Sequence, residues 1–136
     1  MKMIIGGAFQ GKQAYAKQRY PDRMWIDGTT CRMEELYVCG GIVHFERYLR
    51  RWMEAEEQQE NPDSQNFVEK LIQKNPELLI VTDEIGYGLV PTDAFERKYR
   101  EMVGRICTGL ASYSTRVDRV MCGIGTCIKG GMTDED

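Results

Sequence analysis

Apolar residues recur along this chain at two spacings, and the alternation between them predicts its elements. Met3-Ile4-Ile5 is a short apolar run closed by Gly6-Gly7, the pattern of a buried strand followed by a glycine turn. Lys12 to Tyr20 reads as a helix stopped by Pro21, and Met24-Trp25-Ile26-Asp27-Gly28 as a second short strand ending in a turn. Cys31 to Cys39 fits helix and strand equally. From Ile42, the apolar positions Ile42, Phe45, Leu49, Trp52 and Met53 recur at helical spacing, with Arg47, Arg50, Arg51 and Glu54 falling elsewhere. This predicts an amphipathic helix that starts near Ile42. Asn61-Pro62-Asp63 breaks the chain, Phe67, Val68, Leu71 and Ile72 mark a further helix, and Asn75-Pro76 ends it. Leu78-Leu79-Ile80-Val81-Thr82 is a continuous apolar run, as expected of a strand covered on both faces. Asp93-Ala94-Phe95-Glu96 has capping-box spacing ahead of a helix striped by Phe95, Tyr99, Met102, Val103, Ile106 and Leu110. Val117 to Ile124 reads as one last strand, and residues 132–136 as a flexible acidic tail. Strands alternating with helices, with no linker, give a single α/β domain over residues 1–136: a small, mainly parallel sheet flanked by helices in three layers.

Composition narrows the classes this domain belongs to. With 18 Lys+Arg against 21 Asp+Glu the net charge is −3, which lacks the basic face a general nucleic-acid binder uses to displace counterions. Runs such as Leu78–Val81 are far too short to span a bilayer, and the first residues lack the apolar length of a signal peptide. The cytoplasm is the expected address. Five cysteines without CxxC spacing read as reduced thiols. The single histidine, His44, borders the apolar stripe beside Phe45 and reads as a satisfied, partly buried ring. Arg47, Arg50 and Arg51 read as a solvated face balanced by Glu54, Glu56 and Glu57. Asp27 reads as a turn-forming Asp-Gly.

Two segments carry candidate chemistry. Gly6-Gly7-Ala8-Phe9-Gln10-Gly11-Lys12-Gln13 follows the first strand, opens the first helix and fits G-x-x-x-x-G-K. The N–H groups of such a loop converge on phosphate oxygens, the helix start adds partial positive charge, and Lys12 would reach the outer phosphates. Gln13 stands where the motif has a Mg²⁺-binding Ser or Thr. A plain strand-to-helix turn also accounts for Gly6-Gly7. At the end of the apolar strand, Asp83-Glu84 sits on the edge where parallel sheets bind ligands, and Asp83 is placed to meet a phosphate-bound metal. A solvated loop start is the competing account.

The residues from Val81 to Pro91, Val-Thr-Asp-Glu-Ile-Gly-Tyr-Gly-Leu-Val-Pro, resemble the V-[ST]-N-E-V-G-x-G-[IV]-V-P signature of the adenosylcobinamide kinase / adenosylcobinamide-phosphate guanylyltransferase family. Phe95 through Arg105 is similar to that family's R-x-[FY]-R-[DE]-x-x-G-R segment. Ala111, Val120, Gly123-Ile124 and Ile128-Lys129 are similar to its closing segment, and Gly6-Gly7 with Gly11-Lys12 match its glycine loop in part. The resemblance implies a P-loop NTPase-like fold and nucleotide-dependent phosphoryl transfer to a cobinamide-type substrate in cobalamin biosynthesis or salvage. It implies Mg²⁺ with ATP or GTP as cofactor. Residues 6–13 would bind the nucleotide, Lys12 and Glu84 would be catalytic, and Asp83 would hold the metal. It also implies a homo-oligomer, for which Trp52 is a candidate contact on a sheet expected to have few strands.

The departures from the family are as specific. The H-x-x-R-P segment that carries the guanylylated histidine is missing, and His44 lies in the different context Gly-Ile-Val-His-Phe. Gln10 and Gln13 replace loop serines, Asp83 replaces Asn, Cys107-Thr108 replace Asn-Gln, and Val38 aligns with a family acid. Guanylyl transfer is therefore expected to be lost. The alternative to an enzyme is a non-catalytic nucleotide or corrinoid sensor on the same fold.

Overall fold

The computed structural model describes residues 1–55, 63–85 and 92–131. The signature residues 86–91 with Tyr87, the charges Glu56 and Glu57, and the tail 132–136 lie outside them.

The strands are β1 (Lys2–Gly6), β2 (Trp25–Asp27), β3 (Gly41–Val43), β4 (Leu79–Asp83), β5 (Arg116–Met121) and β6 (Ile124–Lys129). They form one sheet in the order β2-β3-β4-β1-β5-β6, parallel throughout except for the antiparallel β5–β6 pair. Among the described residues, four helices flank it: α1 (Lys12–Arg19), α2 (Phe45–Ala55), α3 (Ser64–Lys74) and α4 (Ala94–Tyr113). α1 covers one face, where Ile4, Ala16, Val43, Leu79, Val81 and Val120 cluster. The other three helices cover the opposite face, over Met3, Ile42, Ile80 and Val117. Successive residues of β1 and β4 point to opposite faces and both faces are roofed, which is why these strands are apolar throughout rather than alternating. This is the expected three-layer α/β, P-loop-like architecture.

Three expectations need correction. The helix after Ile42 begins at Phe45; Ile42 belongs to β3, paired with Ile80 of β4. A three-residue strand buried on both faces has no period of its own, so it read as the first turn of the helix it feeds. The last strand is two: Cys122 (φ 53°) and Gly123 (φ 76°) form a two-residue hairpin turn between β5 and β6. Positive φ at both positions matches the twist of a hairpin, but Cys-Gly is not the usual Asn-Gly signal. Among the described residues the sheet accordingly has six strands rather than few. The ambiguous stretch after Cys31 is a 3-10 turn, Met33–Tyr37.

Aromatic packing joins α2 to α3. Phe45 stacks on Tyr48 at 6.2 Å, and Trp52 meets the Phe67 ring at 4.7 Å. Burial of each such ring contributes roughly 1.5–3 kcal/mol. On the α1 face, Arg116 and Asp118 form a buried ion pair at 2.9 Å, and the Tyr15 hydroxyl donates to the same carboxylate at 2.9 Å. Asp118 thus enters the interior with both oxygens satisfied.

Candidate functional site

The glycine loop is shaped by backbone crowding. A Cβ on Gly6 would lie 2.4 Å from the Val120 carbonyl, because β1 and β5 run side by side there. Gly11 turns the chain into α1 at φ 86°, a left-handed conformation that favours glycine. Between them Phe9 occupies the tip at φ 60°, fully exposed. α1 has no side-chain N-cap, and the first N–H groups of any helix lack intrahelical partners, so this end favours an anion.

Lys12, the first helical residue, folds back into the loop. Its ammonium donates to the Gly7 carbonyl at 2.7 Å and meets Asp83 Oδ1 at 2.6 Å. The register explains the meeting: Asp83 lies directly opposite Gly6 across the β1–β4 pair. The outgoing connections of β1 and β4 lead to opposite sides of the sheet, which places this pair at the switch point where open α/β sheets hold ligands. Gln10 is used structurally: its side-chain oxygen accepts from Cys122 N at 2.7 Å and its carbonyl from Gly123 N at 2.8 Å, latching the loop to the hairpin turn. Gln13 is exposed at the mouth.

These residues border a cleft of about 210 Å³ whose lining includes Lys12, Gln13, His44, Glu46, Arg47 and Asp83. Glu46 went unnoticed in the sequence. Its residue is only 4 % exposed, its Oε1 accepts from Asp83 N at 3.0 Å, and its Oε2 accepts from Arg47 N at 3.0 Å. Burial, above all, pushes its carboxyl above the ordinary value. The available signal was a glutamate set directly beside Phe45 in an apolar stripe. His44 is no part of a helix but a half-buried corner at φ 55°, where β3 turns into α2.

Glu84 points elsewhere. Its N–H donates to the Gly6 carbonyl at 2.8 Å, while its two carboxylate oxygens take Arg119 Nε at 2.8 Å and a second guanidinium nitrogen at 3.0 Å. The structure brings Lys12 and Asp83 together and separates Glu84 from the cleft lining. Val38 is 83 % exposed after the 3-10 turn and does not line the cleft. Two of the three arginines differ from the solvated face expected of them, while Arg47 is exposed as expected. Arg50 forms a bidentate pair with Glu96 at 2.6 and 2.7 Å and lies 4.3 Å from the Tyr99 ring centre. Arg51 holds the carbonyls of Gly28 and Cys31, while Arg47 lines the cleft mouth. Asp27 accepts from Thr29 N, the turn geometry expected of it.

A larger open groove of about 690 Å³ runs between α3 and α4, past Val68, Arg100 and Thr108. The start of α3 on its rim is already capped by Asp63, and its lining holds no lysine–carboxylate pair, so the smaller cleft is the candidate site.

The family described as cobinamide kinase / cobinamide phosphate guanyltransferase matches residues 42–128. This chain belongs to that family. Two curated relatives carry the name bifunctional adenosylcobalamin biosynthesis protein CobU. The one from Escherichia coli K12 is 33 % identical over 76 residues, 56 % of this chain and 42 % of the relative. The one from Salmonella typhimurium LT2 is 38 % identical over 52 residues, 38 % of this chain and 29 % of the relative. The chain therefore spans less than half the length of these relatives. The family match runs from β3 into β6 and includes Glu46, Asp83 and Glu84, while the glycine loop precedes it. No helix among the described residues is long and apolar enough to cross a membrane.

Proposed function

We propose that this protein binds ATP or GTP with Mg²⁺ at residues 6–13 and transfers a phosphoryl group to a cobinamide-type corrinoid. The observation that carries this reading is the Lys12–Asp83 pair, held at the carboxyl ends of β1 and β4 beneath an uncapped helix start. Backbone N–H groups of the loop and helix start hold the phosphates, and Lys12 neutralises charge on the outer ones. Mg²⁺ is commonly held by one or two carboxylates together with substrate phosphates and water. Asp83, a hard oxygen donor beside the loop, fits that need, and Gln13 at the mouth offers a weaker carboxamide oxygen. When bound, the ion would be held by Asp83 and would offset negative charge that develops during transfer. Glu84 would orient the acceptor hydroxyl, a role that fits its pairing with Arg119; accepting the hydroxyl's proton would require it first to release that guanidinium.

Guanylyl transfer is absent in this proposal, because His44 is a strained corner and the segment that would present a nucleophile is missing. Labelled GTP should leave no acid-labile adduct, and a labelled His44 would overturn the point. Self-association, implied by the family, is assigned to the exposed strand β6, since Trp52 already packs on Phe67 of its own chain.

Titration calorimetry with MgATP and MgGTP tests the nucleotide site, with binding expected for at least one of them. A folded sample that binds neither at millimolar concentration overturns the proposal. Phosphorylation of cobinamide that depends on Lys12 is expected next. Binding without transfer would assign the sensor reading instead.

A further inference from the structure

We propose that Glu46 is a positioning residue of this cleft: its buried carboxylate stands in for the part of a strand that β3 does not supply, and so fixes Asp83 against Lys12. The functional half of this inference rests on the nucleotide reading; the structural half stands without it.

Register and hydrogen bonding lead to it. β3 pairs with β4 only through Gly41↔Leu79 and Ile42↔Ile80, whereas β1 follows β4 as far as Gly6↔Asp83. Leu79 N–H donates to the Gly40 carbonyl, on the β3 side. In a parallel ladder alternate N–H groups point to the same neighbour, so Asp83 N–H points to the β3 side as well. By that level β3 has ended. The chain turns at His44, φ 55°, and the His44 carbonyl accepts from Arg47 N and Tyr48 N inside α2 instead. Asp83 N–H would be a part-buried donor with no strand opposite, an unfavourable state. Glu46 Oε1 accepts it at 3.0 Å. The next amide, that of Glu84, donates to Gly6 on the other side at 2.8 Å. Asp83 is thus gripped from both flanks, and its carboxylate is presented to Lys12 at 2.6 Å.

Glu46 is itself held on two sides. Its second oxygen accepts from Arg47 N in the first turn of α2, and its backbone carbonyl accepts from the Tyr99 hydroxyl of α4 at 2.6 Å. A carboxylate with four lone-pair sites can serve two N–H donors at once; a carboxamide offers one oxygen for both, and an apolar side chain offers none. Neither the loop motif nor the strand-end carboxylates include this residue. Its place in the first turn of α2 ties the orientation of Asp83 to how that helix leaves the sheet.

The test uses the full chain and two readouts. Amide hydrogen exchange followed by NMR is compared in wild type and Glu46→Leu, with Glu46→Met as the second apolar variant in case the first does not fold. The expected result is at least about tenfold faster exchange at Asp83, with Ile4 and Val81 unchanged, because the opening is local. Wild-type protection of the Asp83 amide in a folded apolar variant overturns the proposal. The second readout is phosphoryl transfer from MgATP to cobinamide. Glu46→Leu should lower kcat by about tenfold or more with little change in the KM for MgATP, and Glu46→Gln should recover part of the loss. In an Asp83→Asn background the Glu46→Leu substitution should add no further loss. Full multiplicative losses there would overturn action through Asp83. A wild type that binds no nucleotide would refute the nucleotide reading alone, and the exchange result would still decide the placement of Asp83.

Discussion

In the proposed function Lys12 serves the cleft twice, as the cation facing a bound phosphate and as the partner of Asp83. Lys12→Met should therefore raise the Kd for MgATP by about tenfold or more, which titration calorimetry reads directly. It should also lower stability, since it strands a carboxylate that is 23 % exposed. The loss should be about 1–3 kcal/mol in urea denaturation, below the cost of breaking a fully buried pair, and Asp83→Asn in the same chain should recover part of it. Thiol chemistry is decided at the same scale. Burial pushes Cys39 up to about 11 and Cys107 up to about 12, and raises Cys31 as well. Cys122 and Cys127 are exposed. In mildly alkaline buffer a disulfide reagent should therefore modify these two of the five thiols fast and the other three slowly. Five equal rates in the folded protein would contradict that burial.

At the level of elements, α2 is the piece that both feeds the cleft and closes the core. Its far end is held by Trp52 against Phe67 of α3. Trp52→Ala should cost about 2–3 kcal/mol, somewhat less than a fully enclosed ring, measured as a shift of the urea midpoint at constant slope. α2 is also tied to the start of α4 by Arg50, whose guanidinium holds the Glu96 carboxyl below the ordinary range. A carboxyl lowered on folding contributes stability that is present above its unfolded pKa and is lost as pH falls through its folded one. Wild type and Glu96→Gln should hence differ most near neutrality and converge once the pH has fallen below the usual carboxylate value. The pair is more than a third exposed, so added salt should shrink the difference. A gap that widens towards acid would reverse the assignment.

The whole molecule buries its central strands and leaves its outermost one bare. Ile124 is 70 % and Ile128 56 % exposed on β6, which among the described residues has a neighbour on one side only. An exposed apolar edge strand is a template for pairing with another chain. Light scattering across micromolar concentrations should give a mass above the 15.7 kDa of one chain, and Ile124→Lys with Ile128→Lys should bring it down. A monomer at every concentration would refute the association. With its described strands in one sheet, the chain should also unfold in a single transition by fluorescence and circular dichroism alike.

Sequence alone determined what depends on neighbours along the chain. The apolar run at Leu78–Thr82, the glycine loop between strand and helix, the Asp93 cap and the stripes of α3 and α4 are local signals, each tied to a period or a backbone need. They were enough for the α/β class, and the motif at residues 81–91 was enough for the family. Tertiary structure decided everything that depends on which strands become neighbours. Only the sheet order sets Asp83 opposite Gly6 and within reach of Lys12, while the adjacent Glu84 goes to Arg119. Only the early end of β3 leaves a part-buried N–H that a glutamate from α2 satisfies. A hydrogen-bond partner 37 residues away leaves no periodic trace, because the distance between Glu46 and Asp83 is set by the pairing of strands and not by the spacing of residues.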